Sequence, residues 1–367
     1  MGIVNQGLVA LIDSNSSHSD KVAKALSMSY HLDLYDDSKE AFEGMYKQVP
    51  AIILISPETK PIASIDVIHN LRAHKKLSHI PIVCIIDSEI DPNYEKAKEL
   101  RVDSIITKPY SRTVLAQTIG EILSTATEKE WAKLDEKPRE ALTNTSDVFK
   151  DISNVLITGE TIAFDDVKQN CQSLVDVVES NNFGDILNGV RSHDDYTYVH
   201  SMRVATLLTL LGHEAGFRNN EQLIMSSGGL LHDIGKMMIP HNILNKPGKL
   251  TDEEFEIMKS HVPETMDYLK KSGDIPKGVM IIAEQHHEKL DGTGYPNGLK
   301  GKELNELARM AAIVDVFSAL TDKRVYKEPM PASQAMDIIT DEMAGNHLDP
   351  HYVKMFRSVL IDAGILY

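Results

Sequence analysis

Cysteine is nearly absent from this 367-residue chain: Cys84 and Cys171 are the only two, far apart, which excludes a disulfide framework. No apolar run approaches the ~20 residues that span a bilayer. The opening Met1-Gly2-Ile3-Val4-Asn5-Gln6 lacks the basic start and apolar stretch of a signal peptide. These absences predict a cytoplasmic protein without membrane insertion. Positive charge is also short, with 38 basic against 54 acidic residues and a formal net charge of −16. A nucleic-acid polymer wants a basic face, so that partner is excluded. A phosphate-bearing substrate would need its positive charge supplied locally, by metals and a few Lys and Arg. Internal repeats and low-complexity tracts are missing too, and the length allows two domains with full-sized cores.

Histidine is plentiful. Five of the 15 fall in one series with two aspartates: His200, His232-Asp233, His261, His286-His287 and Asp315. Seven nitrogen and oxygen donors exceed the four of a tetrahedral zinc site. They suit two divalent ions sharing a bridging carboxylate, an apparatus for displacing a phosphate ester. His200 begins an apolar-periodic helix through Met202, Val204, Leu207, Leu208 and Leu211. On a helix His232 and Asp233 diverge by about 100° and reach one ion from adjacent angles. Lys236, four residues after His232, is expected over the same face. Asp315 lies within the apolar stretch Ala308–Leu320, where an unpaired carboxylate would be neutralised. His286-His287-Glu288 closes a helix over 278–285, just before the glycine-rich loop Leu290–Gly301.

Residues 7–123 alternate apolar runs with amphipathic stretches. The runs are Leu8–Ile12, His31–Tyr35, Ala51–Ile55, Ile82–Ile86 and Ser104–Ile106; the helical segments lie near 19–29, 38–47, 62–74, 92–100 and 111–124. Five strands alternating with five helices predict a doubly wound parallel sheet. With Asp13 after the first strand and Lys108-Pro109 after the fifth, this region resembles a response-regulator receiver domain. That family carries a phosphoacceptor aspartate after the third strand, where this chain has Ser56. The second acidic position is Ser14, and the hydroxyl position after strand four is Ile86 or Asp87. A serine forms no acyl phosphate, so residues 1–123 are expected to be a pseudo-receiver that is not phosphorylated. Residues 124–185 are expected to be a helical connector. Pro138 is expected to interrupt its first segment, and a helical stripe through Val167, Cys171, Leu174, Val175 and Val178 serves packing. Residues 186–367 are expected to form an all-α domain.

The C-terminal motifs run Tyr196-Thr197 ahead of His200-Ser201, then His232-Asp233-Ile234-Gly235-Lys236, then Ile239-Pro240 through Lys246-Pro247-Gly248. His286-His287-Glu288-Lys289-Leu290-Asp291-Gly292-Thr293-Gly294-Tyr295-Pro296 follows, then Asp315-Val316-Phe317-Ser318-Ala319-Leu320-Thr321 and Arg324-Val325-Tyr326-Lys327. Over roughly 185–360 the chain resembles the HD-GYP family of cyclic di-GMP phosphodiesterases, a branch of the HD hydrolases. The resemblance implies hydrolysis of cyclic di-GMP to linear pGpG and GMP. It implies one metal held by His200, His232, Asp233 and Asp315, with Asp233 bridging to a second held by His261, His286 and His287. Iron or manganese suits such a site. Lys236 and Asp194 are implied near the leaving oxygen, and Tyr295, Arg324 and Lys327 around the dinucleotide. Tyr196 stands where members with a third metal carry glutamate, so two ions are expected. Ser318 replaces a frequent aspartate, and His261 is followed by Val262-Pro263 rather than directly by proline. Two other readings stay open: a cyclic dinucleotide-binding module with negligible turnover, and an HD hydrolase of another cyclic dinucleotide. Protein partners or a homodimer would engage the receiver-like domain and connector.

Overall fold

The computed structural model describes residues 4–27, 30–88, 90–158, 160–161, 163–180, 182–190, 196–244, 246, 248–322 and 329–366. Two compact units emerge: Met1–Lys129 with Pro240–Asn242, and Glu130–Ile239 with Ile243–Tyr367. The first contains β1 (Val4–Ile12), α1 (Ser16–Leu26), β2 (His31–Tyr35), α2 (Ser38–Lys47), β3 (Val49–Ile55), α3 (Ser64–Ala73), β4 (Ile82–Ile86), α4 (Pro92–Glu99), β5 (Ser104–Thr107) and the start of α5 (Arg112–Trp131). All strands pair in parallel in the order β2-β1-β3-β4-β5, a doubly wound arrangement. Because side chains alternate along a strand, Ile12, Ile53, Ile55 and Cys84 meet one helical layer. Leu11, Ile52, Leu54 and Val83 meet the other. The central β3 and β4 are wholly buried, and the edge strand β2 is only partly so.

The carboxyl edge of this sheet is chemically closed. Asp13 is buried; Oδ1 accepts from Asn15 N at 2.9 Å, and Oδ2 pairs with His18 Nδ1. The other ring nitrogen of His18 meets the Tyr110 hydroxyl at 2.5 Å. Lys108 Nζ pairs with Asp87 Oδ1 at 3.1 Å. Ser56 is fully buried after β3, and its hydroxyl makes no hydrogen bond.

The second unit is helical: α6 (Glu136–Thr158), α7 (Phe164–Glu179), α8 (Phe183–Gly189), α9 (Tyr196–Glu214), α10 (Asn220–Leu231), α11 (His241–Leu244), α12 (Asp252–Lys259), α13 (His261–Lys271), α14 (Lys277–Gln285), α15 (Glu306–Thr321), α16 (Ala332–Ile338) and α17 (Pro350–Asp362). Pro138 does not interrupt a helix, as the sequence suggested. It sits in the first turn of α6, where its missing N–H is one that no helix would have bonded. The apolar stripe of α7 buries Val167, Cys171, Leu174, Val175 and Val178. Trp131, Leu142 and Leu174 share a core with Met202, Leu230 and Leu231, so α6 and α7 support the pair α9 and α10. Trp131 Nε1 donates to Gly189 O at 3.0 Å. Among the described residues, no helix is long and apolar enough to cross a membrane.

Incubating the protein with acetyl phosphate and magnesium is expected to leave residues 1–123 unmodified. The hydroxyl at position 56 cannot give an acyl phosphate, and Asp13 and Lys108 are already paired. A base-labile phosphate on this unit, detected by intact-mass analysis, would contradict that expectation.

Candidate metal centre

Five helical elements converge on one carboxylate. Asp233 follows the end of α10 and is completely buried. Its Oδ2 lies 3.1 Å from His232 Nε2 and 3.4 Å from His200 Nε2. Its Oδ1 lies 3.2 Å from His261 Nε2 and 3.6 Å from His286 Nε2. Asp315, on α15, sends Oδ1 to 2.9 Å from His200 Nε2 and Oδ2 to 3.6 Å from His287 Nδ1. Two four-residue groups result, each with donor atoms within 4.8 Å of one another. One is His200, His232, Asp233 and Asp315; the other is Asp233, His261, His286 and His287, and Asp233 belongs to both.

The helix ends orient the imidazoles. A helix leaves its last carbonyls without amide partners. His232 caps α10 and donates Nδ1–H to Gly229 O at 2.8 Å; His286 caps α14 and donates to Ala283 O at 3.0 Å. His261 starts α13 and donates to Met258 O, in the last turn of α12, at 2.6 Å. In each case the carbonyl lies three residues back. Because a carbonyl only accepts, Nδ1 carries the proton and the Nε2 lone pair faces inward. His200 lies inside α9, where the preceding carbonyls are committed to the helix. Its Nδ1 instead donates to Asp322 Oδ2 at 2.8 Å, and Asp322 Oδ1 is gripped by Arg203.

Metal ions fit this donor set. Nε2 of His232, His261 and His286 and Oδ1 of Asp233 are buried without hydrogen-bond partners, an arrangement that is costly unless a cation fills it. The protonation states agree. Burial pushes the Asp233 carboxyl up, but His232, Lys236 and His200 outweigh it and hold the group well below the usual carboxylate range. Burial likewise raises Asp315, and the His200 hydrogen bond, His287 and Lys236 reverse the sign. His286 is lowered, chiefly by burial, and His287 is held well below the usual imidazole range by burial and by His286. Ionised carboxylates and neutral imidazoles are the forms that ligate metals.

His232 and Asp233 fall in one group of potential donors. One local expectation is corrected: α10 ends at Leu231, and Ile234–Met238 is a 3₁₀ turn. Lys236 therefore bonds Asp233, three residues back, rather than lying over His232. The turn must also pass close to α13: a Cβ added to Gly235 would lie 2.1 Å from His261 O and 2.8 Å from Thr265 N.

Tyr295 rises beside the centre, its ring 4.7 Å from that of His287 at an interplanar angle of 34°. Burial and the Asp233 and Asp315 charges push its hydroxyl pKa far up, so the phenol stays a donor. The loop carrying it is clasped by Glu288, a buried carboxylate that accepts from Asn297 N at 2.6 Å and Leu299 N at 3.0 Å. A Cβ on Gly294 would meet Glu288 Cα at 2.5 Å, which accounts for a glycine before Tyr295. Asp194, Arg324 and Lys327 lie outside the described residues. Neither Asp322 nor Glu288 carries a role legible from the sequence alone. Asp322 stands seven residues after Asp315, two helical turns on, and that spacing was its one visible signal.

Residues 187–352 match the HD domain family. The cyclic di-GMP phosphodiesterase PA4108 of Pseudomonas aeruginosa is 38% identical over 178 residues, 48% of this chain and 41% of that protein. The 3'3'-cGAMP-specific phosphodiesterase 2 of Vibrio cholerae is 36% identical over 190 residues, 51% of this chain and 36% of that protein. The chain thus spans about two fifths of the length of these relatives. Among solved structures, Bd1817, a HDG"Y"P protein from Bdellovibrio bacteriovorus, shares the fold with a TM-score of 0.50 at 20% identity, covering 68% of this chain and 80% of that one.

Asp322→Asn keeps the shape but removes the charge that Arg203 and His200 share. It is expected to weaken metal retention on the order of 10–100-fold, read by chelator titration with elemental analysis. Unchanged retention would mean that Asp322 only packs. Gly235→Ala is expected to cost about 1–3 kcal/mol through overpacking against α13, read as a lower thermal midpoint.

Proposed function

We propose that this chain, whose residues 187–352 are an HD domain, is a metal-dependent phosphodiesterase that opens cyclic di-GMP to linear pGpG, with GMP as a further product. The observation that carries the reading is the division of Asp233, one oxygen toward His200 and His232 and the other toward His261 and His286. His200, His232, Asp233 and Asp315 would hold one divalent ion; Asp233, His261, His286 and His287 would hold the other. Iron or manganese suits this mix of imidazole and carboxylate. When bound, such a pair supplies Lewis-acid activation of a phosphate ester and a nucleophile at neutral pH.

The chain's own residues do the rest. Lys236, bonded to Asp233 and partly open to solvent, would supply an ammonium to the charge that develops on the departing oxygen. Tyr295 offers a protonated hydroxyl to a phosphoryl oxygen. By the family resemblance, Asp194 would assist Lys236 at the leaving group, and Arg324 and Lys327 would bind the second phosphate. Residues 1–123 form a pseudo-receiver, 124–185 a helical connector and 186–367 the hydrolase. The burial of α6 and α7 against α10, which ends just before His232, supports control of the centre by protein partners or a homodimer acting through the first two segments. The protein works in the bacterial cytoplasm, without nucleic-acid polymer.

The cGAMP-specific relative favours a second reading, a mixed cyclic dinucleotide as substrate. Anaerobically purified, metal-loaded protein should turn over cyclic di-GMP faster than 3'3'-cGAMP; the reverse order would select the second reading, and turnover of neither would reject both. Asp233→Ala is expected to lose both metals and hydrolysis together. Lys236→Ala should retain metal while turnover falls on the order of 10²-fold; unchanged turnover would remove Lys236 from the chemistry.

A further inference from the structure

The helix α12 is short, and none of its residues is buried. Polar groups hold it in place. Thr251 and Glu254 form a reciprocal capping box at its start, and Lys246 pairs with Glu254 at 2.5 Å. At its end Met258 O accepts from His261. Phe255 is therefore not the anchor of this helix, yet it is a large aromatic side chain left 45% exposed. Its position is specific. The Phe255 ring lies 6.2 Å from that of Tyr295, edge to face at 84°, and Tyr295 in turn lies against His287. Lys259, one turn further along the same face, brings Nζ to 5.3 Å from the Phe255 ring and 5.9 Å from the Tyr295 ring. A row of rings thus leads outward from the metal centre, His287, Tyr295, Phe255, with a cation at its side.

We infer that Phe255 is a base-stacking residue, the outer platform against which one purine of a dinucleotide rests while its phosphate is held at the Asp233 centre. This rests on the phosphodiesterase reading above. A purine presents a flat apolar face that water solvates poorly, and an aromatic ring set one residue beyond the phosphate-binding zone covers it. Such contacts are sequence-tolerant and contribute to binding rather than to bond breaking, since the base is equally stacked before and during reaction. Lys259 Nζ, which pairs with Glu256 Oε1 at 2.6 Å, borders the two rings without adding net charge, so the inference rests on the Phe255 ring.

The test compares Phe255→Ala, Phe255→Leu and Phe255→Trp in the full-length, metal-loaded protein. Substrates are cyclic di-GMP and methyl 4-nitrophenyl phosphate, a diester with no nucleobase. Alanine and leucine are expected to raise KM for the dinucleotide on the order of tenfold while kcat, metal content and turnover of the small diester stay unchanged. Tryptophan should restore wild-type KM. Equilibrium binding of cyclic di-GMP, measured by calorimetry in a Lys236→Ala background, should weaken by the same factor. A leucine variant with wild-type KM would assign Phe255 to packing and overturn the inference, as would a joint loss of kcat and metal. Wild-type protein that cleaves the small diester but neither binds nor cleaves a cyclic dinucleotide would reject the substrate reading itself, and this inference with it.

Discussion

A fully buried carboxylate is the constraint on which the helical unit depends. Taking Asp233 out of water costs several kcal/mol unless opposite charge or good hydrogen bonds replace the solvent. The fold answers by aiming α9, the ends of α10 and α14, the junction of α12 and α13, and α15 at that one group. Lys236 supplies an ammonium on one oxygen, and four imidazoles surround both. Much of the neighbouring sequence follows from that convergence. Gly235 is small because the turn bearing Asp233 must touch the backbone of α13. The helices behind it are apolar because their packing holds the imidazoles in place around both oxygens.

Helix termini do two jobs here. They bring the donor side chains inward, and their unbonded carbonyls set the tautomer of the histidines they carry. Three histidines use the carbonyl three residues back, so chain geometry alone orients them, without a dedicated side chain. His200 shows what happens when that option is closed. Its place within α9 requires Asp322 as a partner, and Asp322, buried at the end of α15, then requires Arg203. A ligand inside a helix therefore brings with it a longer chain of supporting residues than a ligand at a helix end.

Much of this was legible beforehand because it lives in local patterns. The alternation of five apolar runs with five amphipathic stretches is a property of nearest neighbours, and the parallel sheet follows from it; the strand order β2-β1-β3-β4-β5 does not. The ligand series was visible because histidine and aspartate have little reason to recur amid apolar helices. The supporting residues were not. Asp322 and Glu288 look like ordinary surface acids, and their roles exist only once α9 meets the end of α15, or the loop folds back over its own start. The 3₁₀ turn after Leu231 was missed for a related reason. Ile234-Gly235-Lys236 continues a helical pattern, and only close approach to α13 favours the tighter turn. Pro138 was misread because a proline breaks a helix interior yet suits a first turn, and the boundary of α6 decides between the two.

The two units treat buried polar groups in opposite ways, and the contrast separates an open site from a closed one. At the sheet edge Asp13 has both oxygens engaged, one by Asn15 N and one by His18, whose far nitrogen is held by Tyr110. Lys108 is matched by Asp87. Ser56 and Thr59 keep unpartnered hydroxyls, but each is a neutral group that costs only about 1–3 kcal/mol. Around Asp233 the unpartnered atoms are three imidazole nitrogens and a carboxylate oxygen, drawn from separate helices and facing one another. Their concentration at one point fits a common compensating charge, and that fit, more than the identity of any one donor, marks the candidate site in the C-terminal unit.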